Sequence, residues 1–201
     1  MSLTGVVSTT NSTPDGWLEV DRVVQAAGGL DVALVLRKGK KGRTLATWDV
    51  CCRGVREFEF SDLTGGGIRL YSSDHPAAKQ YTATATRLSC RTSQAGAQAW
   101  LALVAAHREA VDDWVPLDRY LPATPPTNGT IAVRAPLFLA RAYARALRSM
   151  GLNVRLVHSK HPPKRGTSPK VLHLGNSFVV ADAFEVREGL ANKQMQRTKR
   201  G

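Results

Sequence analysis

The sequence predicts an α+β protein with an N-terminal antiparallel β meander, forming a curved sheet or a barrel, closed by a helix and followed by a smaller β-α-β-β-β unit. Two observations carry this prediction. Six short stretches of strand character follow one another without an intervening helix, at 17–25, 30–37, 44–53, 55–60, 67–71 and 81–90. Two longer stretches, 94–114 and 137–150, instead have apolar residues at helical spacing. The 201 residues, of which 43% are hydrophobic, are sufficient to bury a core.

The strand stretches alternate in the way that an antiparallel sheet with one buried face requires. In 55–60, Phe58 and Phe60 fall on one face, while Glu57 and Glu59 fall on the other. In 81–90, threonines alternate with alanines in the same manner. We therefore expect these strands to bury one face and to expose the other.

The first helix is expected to begin after Ser93, a favourable N-cap residue, and to end before Pro116. His107 lies in the middle of its apolar stripe, so we predict that the ring is buried and structural. A base tuned by Asp112 or Asp113 is the catalytic alternative. The whole stripe consists of Trp100, Leu103, Val104, His107, Val111 and Trp114.

The second helix is expected between Pro136, which suits a first helical turn, and Gly151, which suits a helix end. Strands are predicted around it at 130–133, 152–158, 171–174 and 177–186, with a tight hairpin at 175–176 joining the last two. The first two are expected to be parallel. Small residues on one face of the last strand predict that the helix covers that face. The predicted buried stripe of the helix is Ala140, Tyr143, Ala144 and Leu147.

The net charge of +12 is distributed unevenly along the chain. Residues 1–120 contain 14 basic and 13 acidic side chains, whereas residues 121–201 contain 14 basic and only 3 acidic ones. The change coincides with the Pro-, Thr- and Gly-containing segment 121–129, which is typical of a linker. We therefore predict a mobile arm over 1–15, a β-rich part over 16–121, a basic α/β part over 130–188 and a basic mobile tail over 189–201.

This charge predicts a function for the C-terminal half, namely contact with a polyanion, with nucleic acid as the expected partner. The protein would then be an intracellular binding or adaptor protein. Two alternatives stay open: a small enzyme with a His-containing pocket between the two halves, using His75 or His107, and a protein-interaction module. A basic segment at 37–43 is a second, weaker candidate for anion binding. The residues predicted to hold the anion are Arg141, Arg145, Arg148, Lys160, Lys164, Arg165 and Lys170.

No strong catalytic or cofactor-binding pattern is present in the sequence. Ser73, Asp74 and His75 are adjacent, but a turn ahead of Pro76 explains them without catalysis. The absence of a phosphate loop or a nucleophile elbow favours a protein that is not an enzyme. No cofactor is predicted.

Metal binding and export are not predicted either. The histidines at 158, 161 and 173 have no spaced acidic or cysteine partners that would complete a metal shell. The three cysteines, Cys51, Cys52 and Cys90, are odd in number, which predicts reduced thiols rather than a disulfide framework. The first residues lack the basic and apolar regions of a secretory signal, so a cytoplasmic location is expected.

Overall fold

The chain divides into two compact units in the computed structural model, which describes residues 2–61, 64–65, 67–91, 96–125, 129–159 and 168–189. Unit 1 comprises Met1–Ala78 and Thr167–Gly201, and unit 2 comprises Lys79–Gly166. Unit 2 is thus inserted in sequence between two parts of unit 1. The α+β class is confirmed, but the division falls at different places from the predicted linker 121–129.

Unit 1 is built on a seven-stranded antiparallel sheet with the strand order β4-β1-β2-β3-β10-β9-β5. Its strands are β1 (Gly16–Ala26), β2 (Gly29–Lys38), β3 (Arg43–Glu59), β4 (Thr64–Gly65), β5 (Ile68–Tyr71), β9 (Lys170–Leu174) and β10 (Ser177–Glu188). The first three strands pair in sequence order and form the predicted meander. Among the described residues the terminal strands β4 and β5 do not pair with each other, so the sheet is open and is not a barrel.

The last two strands, β9 and β10, are joined by the predicted hairpin, in which Leu174 pairs with Ser177. They belong to unit 1, where β10 pairs with β3 and β9 with β5, and not to the smaller unit in which we expected them. Long-range pairing of this kind leaves no local trace in the sequence. The small residues Val179 and Ala181 of β10 are buried in the core of unit 1.

A helix, α1 (Leu3–Asn11), occupies most of the segment that was predicted to be a mobile arm over 1–15. Ser2 caps it by accepting a hydrogen bond from the Gly5 backbone N–H at 3.2 Å. Leu3 and Val6 are buried in the same core as β10, and the Asn11 side chain donates to the Ile68 carbonyl. The small-residue face of β10 is therefore covered by α1 rather than by the helix at 137–150.

β3 is a single strand of 17 residues that includes the predicted stretch 44–53 and all of 55–60 except Phe60. Gly54 lies at their junction with φ +61, a conformation that favours glycine. β2 pairs with β3 only as far as Arg53. Phe58 lies beyond this point and is 49% exposed, so the expectation that it shares a buried face with Phe60 is wrong, whereas Phe60 packs against the core.

Unit 2 has two layers, a three-stranded sheet and two helices. Its elements are β6 (Ala85–Arg91), α3 (Gly96–Val111), β7 (Thr130–Pro136), α4 (Leu137–Ser149) and β8 (Val154–His158), and the short helix α2 (Pro76–Lys79) precedes them. The strand order is β7-β6-β8, with β6 antiparallel to both neighbours. β7 and β8 are consequently parallel to each other, as predicted. The helices α3 and α4 pack against each other, and α4 packs against all three strands.

The core of unit 2 contains all four residues of the stripe predicted for α4. It also contains Val115 and Leu121, which are 2% exposed. The Trp100 indole N–H, on α3, donates to the Pro122 carbonyl at 3.1 Å. These contacts explain why the start of the segment 121–129 belongs to the body of unit 2, and why α3 closes this unit rather than the meander. The predicted tail over 189–201 lies, apart from Gly189, outside the described residues.

None of the helices in the described part of the chain is both long and apolar enough to cross a membrane.

Candidate functional site

The outer face of the unit 2 sheet is the strongest candidate site. Side chains alternate along each strand, so that Leu88 and Cys90 of β6 enter the core while Arg87, Ser89 and Arg91 point to the other face. The same alternation operates in β7 and β8. One face of the sheet therefore packs against the helical side of unit 2, and the other presents polar side chains.

Strand register brings four arginines onto this outer face. Arg87 pairs directly with Arg134 of β7, while Arg155 of β8 pairs with Ser89. Arg91 lies four residues further along β6 and pairs with Thr130. All four arginine side chains are exposed, and none of them forms an ion pair with another described residue. We call Arg87, Arg91, Arg134 and Arg155 the outer arginines.

This arrangement is electrostatically unfavourable for the isolated protein. Directly opposed residues of an antiparallel pair have Cβ atoms about 4.5–5.5 Å apart, and like charges at such positions destabilise the sheet. Arg87 and Arg134 are such a pair. The three strands contain no Asp or Glu that would relieve the repulsion. An anionic ligand would provide the missing counter-charge.

Two open depressions lie on this face. One has a volume of about 460 Å³ and is lined by Arg87, Arg134 and Ser159 among others. The second has a volume of about 580 Å³, and its lining includes Arg91 and Arg155. The three strands contain no Phe, Tyr or Trp, so the face offers guanidinium groups without aromatic rings.

The arginine row that the sequence predicted on α4 lies on the helical side of unit 2. Arg141, Arg145 and Arg148 are all exposed, as their spacing indicates. However, Arg145 lines a groove that Glu109 of α3 also lines, and the Arg148 guanidinium donates to the Val154 carbonyl at 3.2 Å. The acidic side chain and the backbone contact make this row a weaker anion site than the outer arginines.

The other residues predicted to bind an anion are not found on the unit 2 sheet in the described part of the chain. Lys160, Lys164 and Arg165 lie outside the described residues. Lys170 is the exposed first residue of β9, in unit 1. In the basic segment 37–43, the Arg37 side chain forms an ion pair with Glu19, which neutralises its charge.

His107 is a structural residue of the unit 2 core, as predicted. Its ring is 1% exposed, and both ring nitrogens have partners, the Tyr143 hydroxyl at 2.6 Å and the Val115 carbonyl at 2.7 Å. Because a carbonyl only accepts, Nε2 donates to Val115, and Nδ1 of the neutral ring accepts from the Tyr143 hydroxyl. Burial lowers the pKa of His107 and raises that of Tyr143, so both groups stay neutral.

His75, the other histidine of the enzyme alternative, is half-buried beside Tyr71 in unit 1. The two ring centroids are 4.4 Å apart, and the His173 ring is 6.1 Å from Tyr71. Burial and, next, the charge of His173 lower the pKa of His75. The Asp74 backbone N–H contacts the Ser72 hydroxyl at 3.4 Å, which fits the turn predicted ahead of Pro76.

The described part of the chain contains neither a cluster of metal-binding side chains nor an exposed cysteine. No three His, Cys, Asp or Glu side chains come together there in a way that could hold a metal ion. The three cysteines are free and buried. Burial raises the pKa of Cys52 to about 12, so this thiol stays protonated and unreactive.

The outer arginines were missed by sequence reasoning because Arg87 and Arg91 fall in the half of the chain with balanced charge. The signal that could have identified them is the alternation of polar and apolar residues in 85–91 and 130–136. When the charged residues are counted by unit, the excess of basic residues in unit 2 becomes visible. Unit 2 has 13 basic and 4 acidic side chains, a net of +9, against 15 and 12, a net of +3, in unit 1.

Comparison of the chain with protein-family models, curated proteins and solved structures finds no match. The fold and the site together define a two-unit α+β protein whose smaller unit has a basic, open-faced sheet.

Proposed function

We propose that unit 2 is a nucleic-acid-binding module and that the outer arginines are its main phosphate contacts. The observation that carries this proposal is the direct opposition of Arg87 and Arg134 on an exposed face without acidic residues. A guanidinium group matches the geometry of a phosphate because it donates two parallel hydrogen bonds. A polyanion would therefore offset the repulsion that the free protein contains.

The chemistry of the face favours contact with the backbone of a duplex over the bases of a single strand. Single-strand binders stack bases on aromatic rings, and the three strands of this sheet contain no Phe, Tyr or Trp. Phosphate contacts fix position but carry no base information. The protein should therefore bind duplexes of different sequence with similar affinity, and at least as strongly as single strands of equal length.

The predicted anion-binding residues outside this face keep a secondary role in the proposal. Lys160, Lys164 and Arg165 directly follow β8 in sequence and would extend the contact. Arg141 and Arg145 would contribute through the general positive potential of unit 2 rather than through direct contact. The enzyme and protein-interaction alternatives stay predictions, although the burial of His107 argues against its use as a base.

The proposal is tested by the salt dependence of binding. Binding that releases counterions loses affinity linearly on a logarithmic salt scale, with a slope of about 0.9 per phosphate contacted. Fluorescence anisotropy with a labelled duplex should thus give a steep slope for the wild type. Replacement of two contact residues, Arg87→Gln with Arg134→Gln, should weaken binding and reduce the slope by at least about 0.9, the value for one phosphate contact.

Unit 1 provides a matched control with the same change in net charge. Arg22 and Arg53 lie 3.9 Å from Asp49 and Glu185, respectively. Arg22→Gln with Arg53→Gln should leave the slope nearly unchanged, because these arginines already have acidic partners. Lys164→Glu with Arg165→Glu measures how much these two basic residues contribute to binding. If the wild type does not bind at low salt, or if both arginine pairs have equal effects, the proposal is wrong.

A further inference from the structure

The outer arginines form two pairs, each in its own depression. Arg87 and Arg134 line the depression of about 460 Å³, and Arg91 and Arg155 line the one of about 580 Å³. Among the described residues, no acidic side chain lines either depression. Each depression therefore presents two guanidinium groups, which is the donor set that a single phosphate group can engage.

The separation of the two pairs follows from strand geometry. Arg87 and Arg91 are four residues apart on β6, or about 13 Å at the rise of a strand. Arg155 lies opposite Ser89, halfway between them. The centre of the second pair is therefore about three residues along the sheet from the centre of the first, a distance of roughly 10 Å.

Backbone lengths convert this distance into a number of nucleotides. A peptide unit has three backbone bonds and spans at most about 3.3–3.6 Å, so the six bonds of a nucleotide unit span roughly 7 Å when extended. One nucleotide step is too short to connect the centres of the two arginine pairs, whereas two steps are sufficient. The two depressions meet at the paired small residues Ala132, which lines the first, and Ser89, which lines the second, so a strand can lie across them.

We propose that the two depressions are phosphate subsites that hold the first and third of three successive phosphates on one nucleic-acid strand. The middle phosphate passes over the border of the two depressions, at the Ser89–Ala132 pair. This inference rests on the proposed function and specifies its smallest ligand, a segment of two nucleotide units with three phosphates. A duplex would be bound through one of its strands, and a free nucleotide would occupy only one subsite.

A series of short thymidylates tests the number of phosphates. Nucleotides and oligonucleotides with one, two or three successive phosphates compete with a labelled duplex at low salt. We expect the affinity to rise by about tenfold at the third phosphate, since a charge-assisted contact of this kind contributes about that factor. The second phosphate alone should add little, because it does not reach the second subsite.

Neutral backbone linkages identify which phosphates are bound. Replacement of the middle phosphate by an uncharged methylphosphonate should leave most of the affinity, whereas the same change at an outer position should remove the tenfold gain. The variant Arg91→Gln with Arg155→Gln should bind ligands of one and three phosphates about equally. The control variant Arg141→Gln with Arg145→Gln, on α4, should keep the gain at the third phosphate.

The outcomes separate this inference from the function on which it rests. If the duplex binds through the outer arginines, but affinity rises smoothly with each phosphate or depends equally on the middle one, the two-subsite arrangement is wrong and the proposed function stands. If the duplex itself does not bind at low salt, both are wrong. A gain at the third phosphate that survives in the Arg91 and Arg155 variant also contradicts the arrangement.

Discussion

The two sheets of this protein use arginine in opposite ways. In unit 1, Arg22, Arg53 and Arg56 each have a carboxylate partner, and the Arg56–Asp182 pair is the shortest of these at 2.9 Å. In unit 2, Arg87 and Arg134 face each other and have no acidic neighbour in their sheet. All the ion pairs found among the described residues lie in unit 1. Several arginines of the unit 1 sheet are therefore neutralised within the protein, whereas the outer arginines of the unit 2 sheet are not.

This difference implies that the stability of unit 2 arises from its other side. The helices and the inner face of the sheet share one apolar core, and the outer face contributes repulsion instead. In unit 1, by contrast, the core and the ion pairs of the sheet both favour the fold. Substitutions in the two units should consequently change the free energy of unfolding by different amounts and, for the arginines, in opposite directions.

The largest effect is expected at Gly54, which allows the Arg56–Asp182 pair to form. Gly54 has φ +61, and a Cβ atom there would clash with the Asp182 carboxylate. Gly54→Ala combines backbone strain with a steric clash, and we expect it to lower the free energy of unfolding by about 2–4 kcal/mol. Chemical denaturation measures this loss.

Gly28 offers a matched control for this substitution. It has φ +86, but a Cβ atom there would meet nothing within 4 Å. Gly28→Ala should therefore cost only the strain, about 1–2 kcal/mol. Adding Asp182→Ala to Gly54→Ala removes the clashing carboxylate and leaves only the Cβ atom of residue 182, at 3.0 Å, so the loss should fall towards that of Gly28→Ala. Equal losses for the two single variants would show that Asp182 does not constrain Gly54.

A smaller effect is expected at His107, in the core on which unit 2 depends. His107→Ala leaves the Tyr143 hydroxyl and the Val115 carbonyl without partners in a dry interior. We expect a loss of about 1–3 kcal/mol in the free energy of unfolding. A protein with His107→Ala that melts like the wild type would contradict the structural role and would revive the enzyme alternative.

The same residue should make stability depend on pH. Burial lowers the pKa of His107 in the folded protein below its value in the unfolded chain, which is about 6.5. As the pH falls below about 6.5, the unfolded chain therefore takes up a proton that the folded protein does not, and stability is lost. His107→Gln should make this decrease shallower. His75 and His173, whose pKa values burial also lowers, contribute to the same decrease.

Much of the fold could be predicted because it depends on local patterns. Alternation predicted β1 and β2, and helical spacing with Pro136 and Gly151 predicted α4 and its buried stripe. The partners of β9 and β10 could not be predicted in this way. β10 pairs with β3 over more than a hundred intervening residues, and periodicity says which face of a strand is buried but not which strand lies beside it.

The site was harder to predict than the fold for the same reason. Arg87 is separated from Arg134 in sequence by the acidic residues Glu109, Asp112, Asp113 and Asp118, so the charge of this region looks balanced. Those acids lie on α3 and the turns that follow it, whereas the register of β6 and β7 brings the two arginines together. Charge counted along the chain therefore conceals a charge that is concentrated on one face.

The smallest effects come from the arginines themselves, and they should have opposite signs in the two sheets. Arg134→Thr on the unit 2 sheet removes a repulsion, so we expect the free energy of unfolding to increase by about 0.2–1 kcal/mol at low salt. Arg53→Thr on the unit 1 sheet removes an exposed ion pair with Glu185, and we expect a decrease of about 0–1 kcal/mol. Added salt should reduce both changes by screening.

Both substitutions introduce threonine into a strand, so its β propensity affects the two alike, and the difference between them reports the charge. A loss of stability in Arg134→Thr as large as in Arg53→Thr would mean that the outer arginines support the fold. The main physical reason for assigning them to a ligand would then disappear.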